Sequence, residues 1–174
     1  MAARADREMM RKPGFGTLQH FLSIPYYALV AFGRHDAILA LDPPPEGLLY
    51  PRAVWHYARG MALAARGAPD KAQAELAHVL EAAGDEQLEK VTIWDINSTR
   101  SLMQIAAALL QSEVALARKQ PRRAVEQLRR AVKLEDGLNY DEPPPWGPAT
   151  RRYLGAALLA QGRAKAAERV YRED

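Results

Sequence analysis

Four histidines and a handful of carboxylates are the residues with which this chain could do acid/base or metal chemistry, and their spacing argues against both. His20, His35, His56 and His78 never fall four apart on one helix with a carboxylate beside them, the arrangement that seats a zinc ion. There is no cysteine, which removes thiolate ligands, disulfides and a thiol nucleophile. No glycine-rich phosphate loop or nucleophile elbow is present, so no metal and no cofactor is expected. Asp95, Glu113, Asp141 and Glu142 carry the right group for proton transfer, but nothing in their spacing brings two of them together. His56 falls where a helical repeat places a bulky residue between its two helices, so it reads as a packed imidazole. The expectation is a protein that is not an enzyme.

The basic run from Ala117 to Lys133 is the one stretch that could contact phosphates, through Arg122, Arg123, Arg129, Arg130 and Lys133. Several of these lie opposite the apolar set Ala124, Val125, Leu128, Ala131 and Val132, and Glu126 interrupts them, which describes a solvated helix face. Overall, 24 basic against 21 acidic residues give a net charge of +3, too little for a dedicated nucleic-acid binder. The most apolar early stretch, Phe21 to Phe32, is about half the roughly 20 residues that span a bilayer and contains Pro25. Neither nucleic acid nor membrane is expected as a partner, and a cytoplasmic location is.

The elements that must position these residues are helical. Alanine-rich helical periodicity runs through the chain and breaks at proline and glycine clusters, so the fold class is all-α, with a 48% hydrophobic composition sufficient for a core. The helices repeat. In "WHYARGMALAARGAPDKAQAELAHVL" and "YLGAALLAQGRAKAAERVY" a small residue, Gly60 or Gly155, precedes a turn glycine, Gly67 or Gly162, by seven positions. Ala72 or Ala167 follows, then bulky Leu76 or Tyr171. Ser112, Lys119, Ala124 and Leu128 fill the same register, and Gly33 marks a fourth turn. Two helices approach closely where small side chains meet, and glycine ends the first helix of each pair because it adopts a left-handed C-cap cheaply.

On this register, from about Ile24 to Asp174, the chain resembles tetratricopeptide repeat (TPR) proteins. It is similar within them to bacterial proteins carrying "FGRxD", "WHYARG" and "YDEPPPW", which stand here at Phe32 to Asp36, Trp55 to Gly60 and Tyr140 to Trp146. The resemblance implies a right-handed α-solenoid of antiparallel helix pairs, about 3 to 4 repeats, that binds another protein or peptide in its concave groove. It assigns no chemistry. Some relatives clamp a chaperone's C-terminal carboxylate with Lys and Asn, but the matching positions here carry residues such as Ala58 and Leu110.

The spacing of the turns departs from a 34-residue repeat: Gly33, Gly67, Lys119 and Gly162 stand 34, 52 and 43 residues apart. The first insertion, Gly84 to Ser101, offers Asn97, Ser98 or Thr99 as a helix N-cap. The connectors "LDPPPEGLLYP" and "YDEPPPWGP" read as stiff spacers, each with a proline suited to the first turn of the next helix, Pro51 and Pro148. Residues 1–23 read as the tail of an earlier repeat, residues 24–174 as the solenoid, and both ends as unfinished.

In this register Tyr57 and Met61, then Glu113, then Arg152 face the groove, while Trp94 and Asn97 from the insertion, and Glu142 and Trp146 from the last connector, are placed to fold over its edge. These eight are the candidate binding residues. A second copy docking through the solenoid ends is an accompanying expectation. The competing reading is a small-ligand receptor or enzyme whose pocket the inserted loops close, drawing on His56, Asp95, Glu142, Trp94 and Trp146. It requires those residues to converge.

Overall fold

A computed structural model describes residues 8–12, 14–147 and 149–174. Residues 1–7, Pro13 and Pro148 lie outside that description, and with them part of the N-terminal segment and the proline expected to open the last helix pair. The described chain is all-α apart from one small hairpin. Its helices are α1 (Gly16–Ala31), α2 (His35–Leu39), α3 (Leu49–Ala65), α4 (Pro69–Gly84), α5 (Thr99–Ala117), α6 (Pro121–Glu135), α7 (Thr150–Ala160) and α8 (Ala164–Arg172).

Successive helices pack as pairs, α1 on α2 through to α7 on α8, and each pair is closed by the same turn. At Gly33, Gly67, Lys119 and Gly162 the backbone is left-handed, with φ of 60°, 71°, 58° and 72°. Two hydrogen bonds recur at each. At the second turn Ala68 N donates to Leu63 O and Gly67 N to Ala64 O; at the third Gln120 N donates to Ala115 O and Lys119 N to Leu116 O. This is the Schellman closure, which satisfies carbonyls the helix end would otherwise leave unpaired. Lys119 adopts the glycine conformation at a modest cost of order 1 kcal/mol. Pro69 and Pro121 then open α4 and α6 at positions where no N–H is needed.

The small positions do what close helix packing demands. Ala72, Ala124 and Ala167 are all fully buried, as is Ser112. A Cβ on Gly60 would press into the Leu110 side chain of α5 and approach Glu75 of α4, so this one glycine admits two neighbours. The core runs continuously through α3, α4, α5 and α6 and reaches Leu154, Leu158 and Ala167.

Two features of the irregular segments depart from the sequence reading. The insertion forms a 3-10 turn, Glu86–Glu89, and an antiparallel hairpin of β1 (Thr92–Ile93) and β2 (Asn97–Ser98). Strands of two residues are too short to produce an alternating pattern. At the N-terminus α1 begins at Gly16, so the boundary at residues 23 and 24 falls inside a helix. Pro25 is accommodated within it on the exposed side, where the carbonyl it leaves unpaired can meet water. Ser98 is the N-cap of α5, its side chain accepting from Ser101 N.

The start of α1 rests on the hairpin so closely that a Cβ at Gly16 would overlap the carbonyl oxygen and amide nitrogen of Thr92. Backbone cannot rotate out of the way as a side chain can. Gly16→Ala should therefore cost about 1–3 kcal/mol of unfolding free energy in urea titration. Gly84→Ala, where an added Cβ meets nothing within 4 Å, should leave the midpoint unchanged or raise it.

Candidate functional site

The segment between α6 and α7 crosses the first helices and closes the face on which the groove was expected. Trp146 is 3% exposed, its ring 5.2 Å from that of Tyr27 in α1 and 5.7 Å from that of Tyr57 in α3. Edge-to-face contacts of this kind are worth about 0.5–1.5 kcal/mol each beyond area burial. Tyr57 lies against this strap, and Tyr57 and Met61 are both buried, 2% and 7% exposed. A ligand could reach Tyr57 from this side only if the strap left.

The strap is anchored at both ends. Asn97 Nδ2 donates to Asn139 O and Asn97 Oδ1 accepts from Asn139 N, both at 2.9 Å, while Asn139 Nδ2 donates to Ile96 O. Asn97 is thus a buried tie between the two insertions. At the far end Thr150 N donates to Glu135 Oε2 at 2.8 Å, and Arg151 pairs with both oxygens of Asp136 at 2.5 and 2.9 Å. A carboxylate at the first amides of α7 satisfies unpaired donors and complements the helix dipole. Between the anchors the fit is looser in polar terms, because Trp146 Nε1 and Asp141 Oδ2 are buried without a hydrogen-bond partner among the described residues.

Beneath the strap lies a cluster of titratable groups. His20 Nδ1 is 2.9 Å from the Tyr50 hydroxyl, which is 3.1 Å from that of Tyr27. A chain in which Tyr27 donates to Tyr50 and Tyr50 to His20 satisfies each hydroxyl with a neutral imidazole as the final acceptor. Burial pushes the His20 pKa down to about 4, and the charge of Asp141 opposes this only in part. Further along, burial raises the Tyr57 hydroxyl and the Glu113 carboxyl, and it pushes Tyr153 up to about 12, with the charge of Glu113 adding to that rise. The tyrosines of this set keep their protons across the physiological range, while His20 is neutral there.

His56 has a carboxylate partner, though none that its sequence neighbourhood suggested. Its Nδ1 is 2.6 Å from Glu75 Oε2, and Arg59 Nε donates to Glu75 Oε1 at 2.8 Å. Burial pushes the Glu75 carboxyl up, but the hydrogen bonds and charges of His56 and Arg59 outweigh it and leave the pKa lowered. The His78 ring stacks on His56 at 4.1 Å. A carboxylate orienting an imidazole is half of a catalytic triad. The adjoining cavity of about 150 Å³ is lined by Leu49, Arg52, Ala53, His56, His78, Glu81, Ala82 and Asp85, none of which bears a hydroxyl or thiol nucleophile. The group braces α3 against α4. Asp95, Glu142, Trp94 and Trp146 do not join it.

Among the described residues, no group of three or more histidines and acids could hold a metal ion, and no helix is long and apolar enough to cross a membrane.

The remaining candidates are at the surface. Glu142 is exposed and accepts from the Tyr140 hydroxyl at 3.0 Å; Arg152 is exposed and 3.8 Å from Asp174; Glu113 is half-buried. Trp94 is 55% exposed at the tip of the hairpin, where its φ of 52° and that of Asp95, 58°, are left-handed. This turn is pinned from both sides: Trp94 N donates to Thr17 Oγ1 at 2.9 Å, and Thr92 Oγ1 donates to Asp95 Oδ1 at 2.8 Å. The ring meets Phe21 of α1 edge to face at 6.0 Å, and Phe15 and Leu18 complete a hollow of about 310 Å³.

Sequence reasoning had marked Trp94 but not Phe21, and had marked Trp146 without its tyrosine partners. The available signal was the concentration of tyrosine on the first helices of the pairs, Tyr26, Tyr27, Tyr50, Tyr57 and Tyr153. The fold and site define an all-α protein of four helix pairs with a self-filled inner face and a free aromatic corner. No protein-family model, curated protein or solved structure matches the chain.

Proposed function

We propose that the chain is a noncatalytic scaffold, a solenoid of the tetratricopeptide type, that binds another protein or peptide in the cytoplasm. The observation that carries this reading is the Trp94 and Phe21 corner. Two large aromatic side chains, 55% and 48% exposed, stand together, Trp94 on a turn that its hydrogen bonds hold in a strained conformation and Phe21 on α1 beside it. Exposed aromatics cost solubility, and a strained turn costs stability. Rigid aromatic anchors are also the residues that dominate protein interfaces. Of the residues expected to face the groove, Arg152 is exposed and Glu113 half-buried.

The test is affinity capture with the full chain. Trp94→Ala should weaken a captured partner by about 2 kcal/mol or more, with the urea midpoint nearly unchanged because the turn's hydrogen bonds are made by the Trp94 backbone and by Thr17, Thr92 and Asp95. Arg152→Glu tests the groove rim in the same assay. Tyr57→Ala cannot serve, since it removes a buried core residue. If neither surface variant alters any captured interaction, the scaffold reading fails.

A second reading, a receptor for a small ligand, is favoured by one observation. The N-terminal turn, the first proline connector and the Gly84–Ser101 insertion converge on a cavity of about 610 Å³, within the usual size range of ligand sites.

A further inference from the structure

That cavity lies apart from the strap and adjoins the aromatic hollow at Gly14, which lines both; it shares no other lining residue with that hollow. Arg11 and Lys12 reach it from the N-terminal turn, Glu46 and Gly47 from the first proline connector, and Leu88, Lys90 and Val91 from the insertion. Leu88 is 1% exposed, and with Leu49 and Val91 it supplies an apolar floor. Gln19, 7% exposed, donates from Nε2 to Met10 O at 2.8 Å and so ties the N-terminal turn across the opening of α1. Arg11 Nη2 donates to Glu46 O at 2.7 Å, which fixes its guanidinium along the wall. Gly47 makes that possible: its φ is 80°, and a Cβ there would stand 3.2 Å from the guanidinium nitrogens.

The charge of the lining is unbalanced. Arg11, Lys12 and Lys90 face a single carboxylate, that of Glu46, and among the described residues the three cations form no ion pair. Cations gathered round a concave, low-dielectric surface focus a positive potential and attract anions. A guanidinium with one N–H already anchored presents the rest of its donor fork in a fixed direction, which suits an oxyanion.

We propose that this cavity binds a small molecule with an oxyanion group and an apolar body. The oxyanion, a carboxylate or a phosphate, is held by Arg11, Lys12 and Lys90, and the body lies on Leu49, Leu88 and Val91. The proposal rests on the receptor reading and adds the chemistry of its ligand.

Titration of the full chain with anilinonaphthalene sulfonate, compared with its neutral twin N-phenyl-1-naphthylamine, tests it by fluorescence. The anionic dye should bind about tenfold or more tightly than the neutral one, and the preference should shrink with added salt. Arg11→Glu with Lys90→Glu should abolish the preference, whereas Arg11→Lys with Lys90→Arg should keep most of it, which separates loss of charge from loss of fold. Trp94→Ala should leave anionic-dye binding unchanged. Displacement of the dye by phenyl phosphate or by phenylacetate supports the proposal and names the oxyanion class. Equal binding of the two dyes, persistence of the preference in the double glutamate variant, loss in Trp94→Ala alone, or displacement by neither competitor overturns the oxyanion and leaves the cavity. If neither dye binds, the receptor reading falls as well.

Discussion

Trp146→Ala should lower the unfolding free energy by about 3–5 kcal/mol, the range for removing a large aromatic side chain from a packed interior. The ring is 3% exposed and joins three separate parts of the chain, since the strap carries it onto Tyr27 of α1 and Tyr57 of α3. The variant therefore loses more than volume. It should also open the inner face, making Tyr57 accessible, and this is read by tyrosine-selective chemical modification beside the urea midpoint. Trp146→Phe is the informative companion. Because Nε1 has no hydrogen-bond partner among the described residues, phenylalanine removes an unsatisfied donor along with part of the ring, and the cost should stay below about 1.5 kcal/mol. A Trp146→Ala midpoint matching wild type would show that the strap is not seated, and the groove reading would then regain its floor.

The second large effect is on acid stability, and its sign follows from His20. The folded-state pKa, about 4, lies below the ordinary value of 6.5. Between those values the unfolded chain takes up a proton that the folded chain refuses. The contribution of the neutral imidazole is therefore fully present above about pH 6.5 and lost progressively as pH falls toward 4, about 3 kcal/mol in all. Glu113 works in the opposite sense. Its folded carboxyl is raised by burial, so just above the ordinary carboxylate range it holds a proton the unfolded chain has already released, and its share of stability declines as pH rises from there. Asp141 adds a charge that favours protonated His20. The measurement is accordingly a difference: urea unfolding of wild type and His20→Gln at a series of pH values. The slope between pH 6.5 and 4 should be shallower in the variant by one proton at most. Parallel curves would mean that His20 protonates freely in the folded chain.

These predictions draw on parts of the molecule that were unequally legible in the sequence. The four turns were readable at Gly33, Gly67, Lys119 and Gly162 because a helix ending and its left-handed cap are decided within about six residues. Even lysine at one of them did not hide the register, since Ser112, Ala124 and Leu128 stood at the right distances. A cap for α5 among Asn97, Ser98 and Thr99 was legible for the same reason, and the packing selects Ser98. The hairpin at Thr92 to Ser98 was not, because two-residue strands leave no periodicity and the left-handed conformations of Trp94 and Asp95 are imposed by Thr17, far away in the chain. The last connector is the instructive case. Its prolines read as a stiff arm, but nothing in "YDEPPPWGP" tells whether its tryptophan points at solvent or into the molecule.

For the candidate site the same division holds. Trp94 could be marked because an aromatic residue in a polar insertion is unusual locally, whereas Phe21, which makes it a corner, belongs to another helix. Glu75 could not be paired with His56 from spacing, since their meeting depends on the angle at which α4 packs on α3. By itself the sequence determined the helical class, the turns, the close-packing positions and the absence of cysteine chemistry, all set by residue type over short distances. Only the tertiary structure decided that the inner face is filled by the chain's own Trp146, that His20 is held neutral, and that Arg11, Lys12 and Lys90 converge. Burial and cross-chain electrostatics are sums over neighbours that are distant in sequence, and a helical repeat interrupted by insertions leaves those neighbours to be chosen by packing.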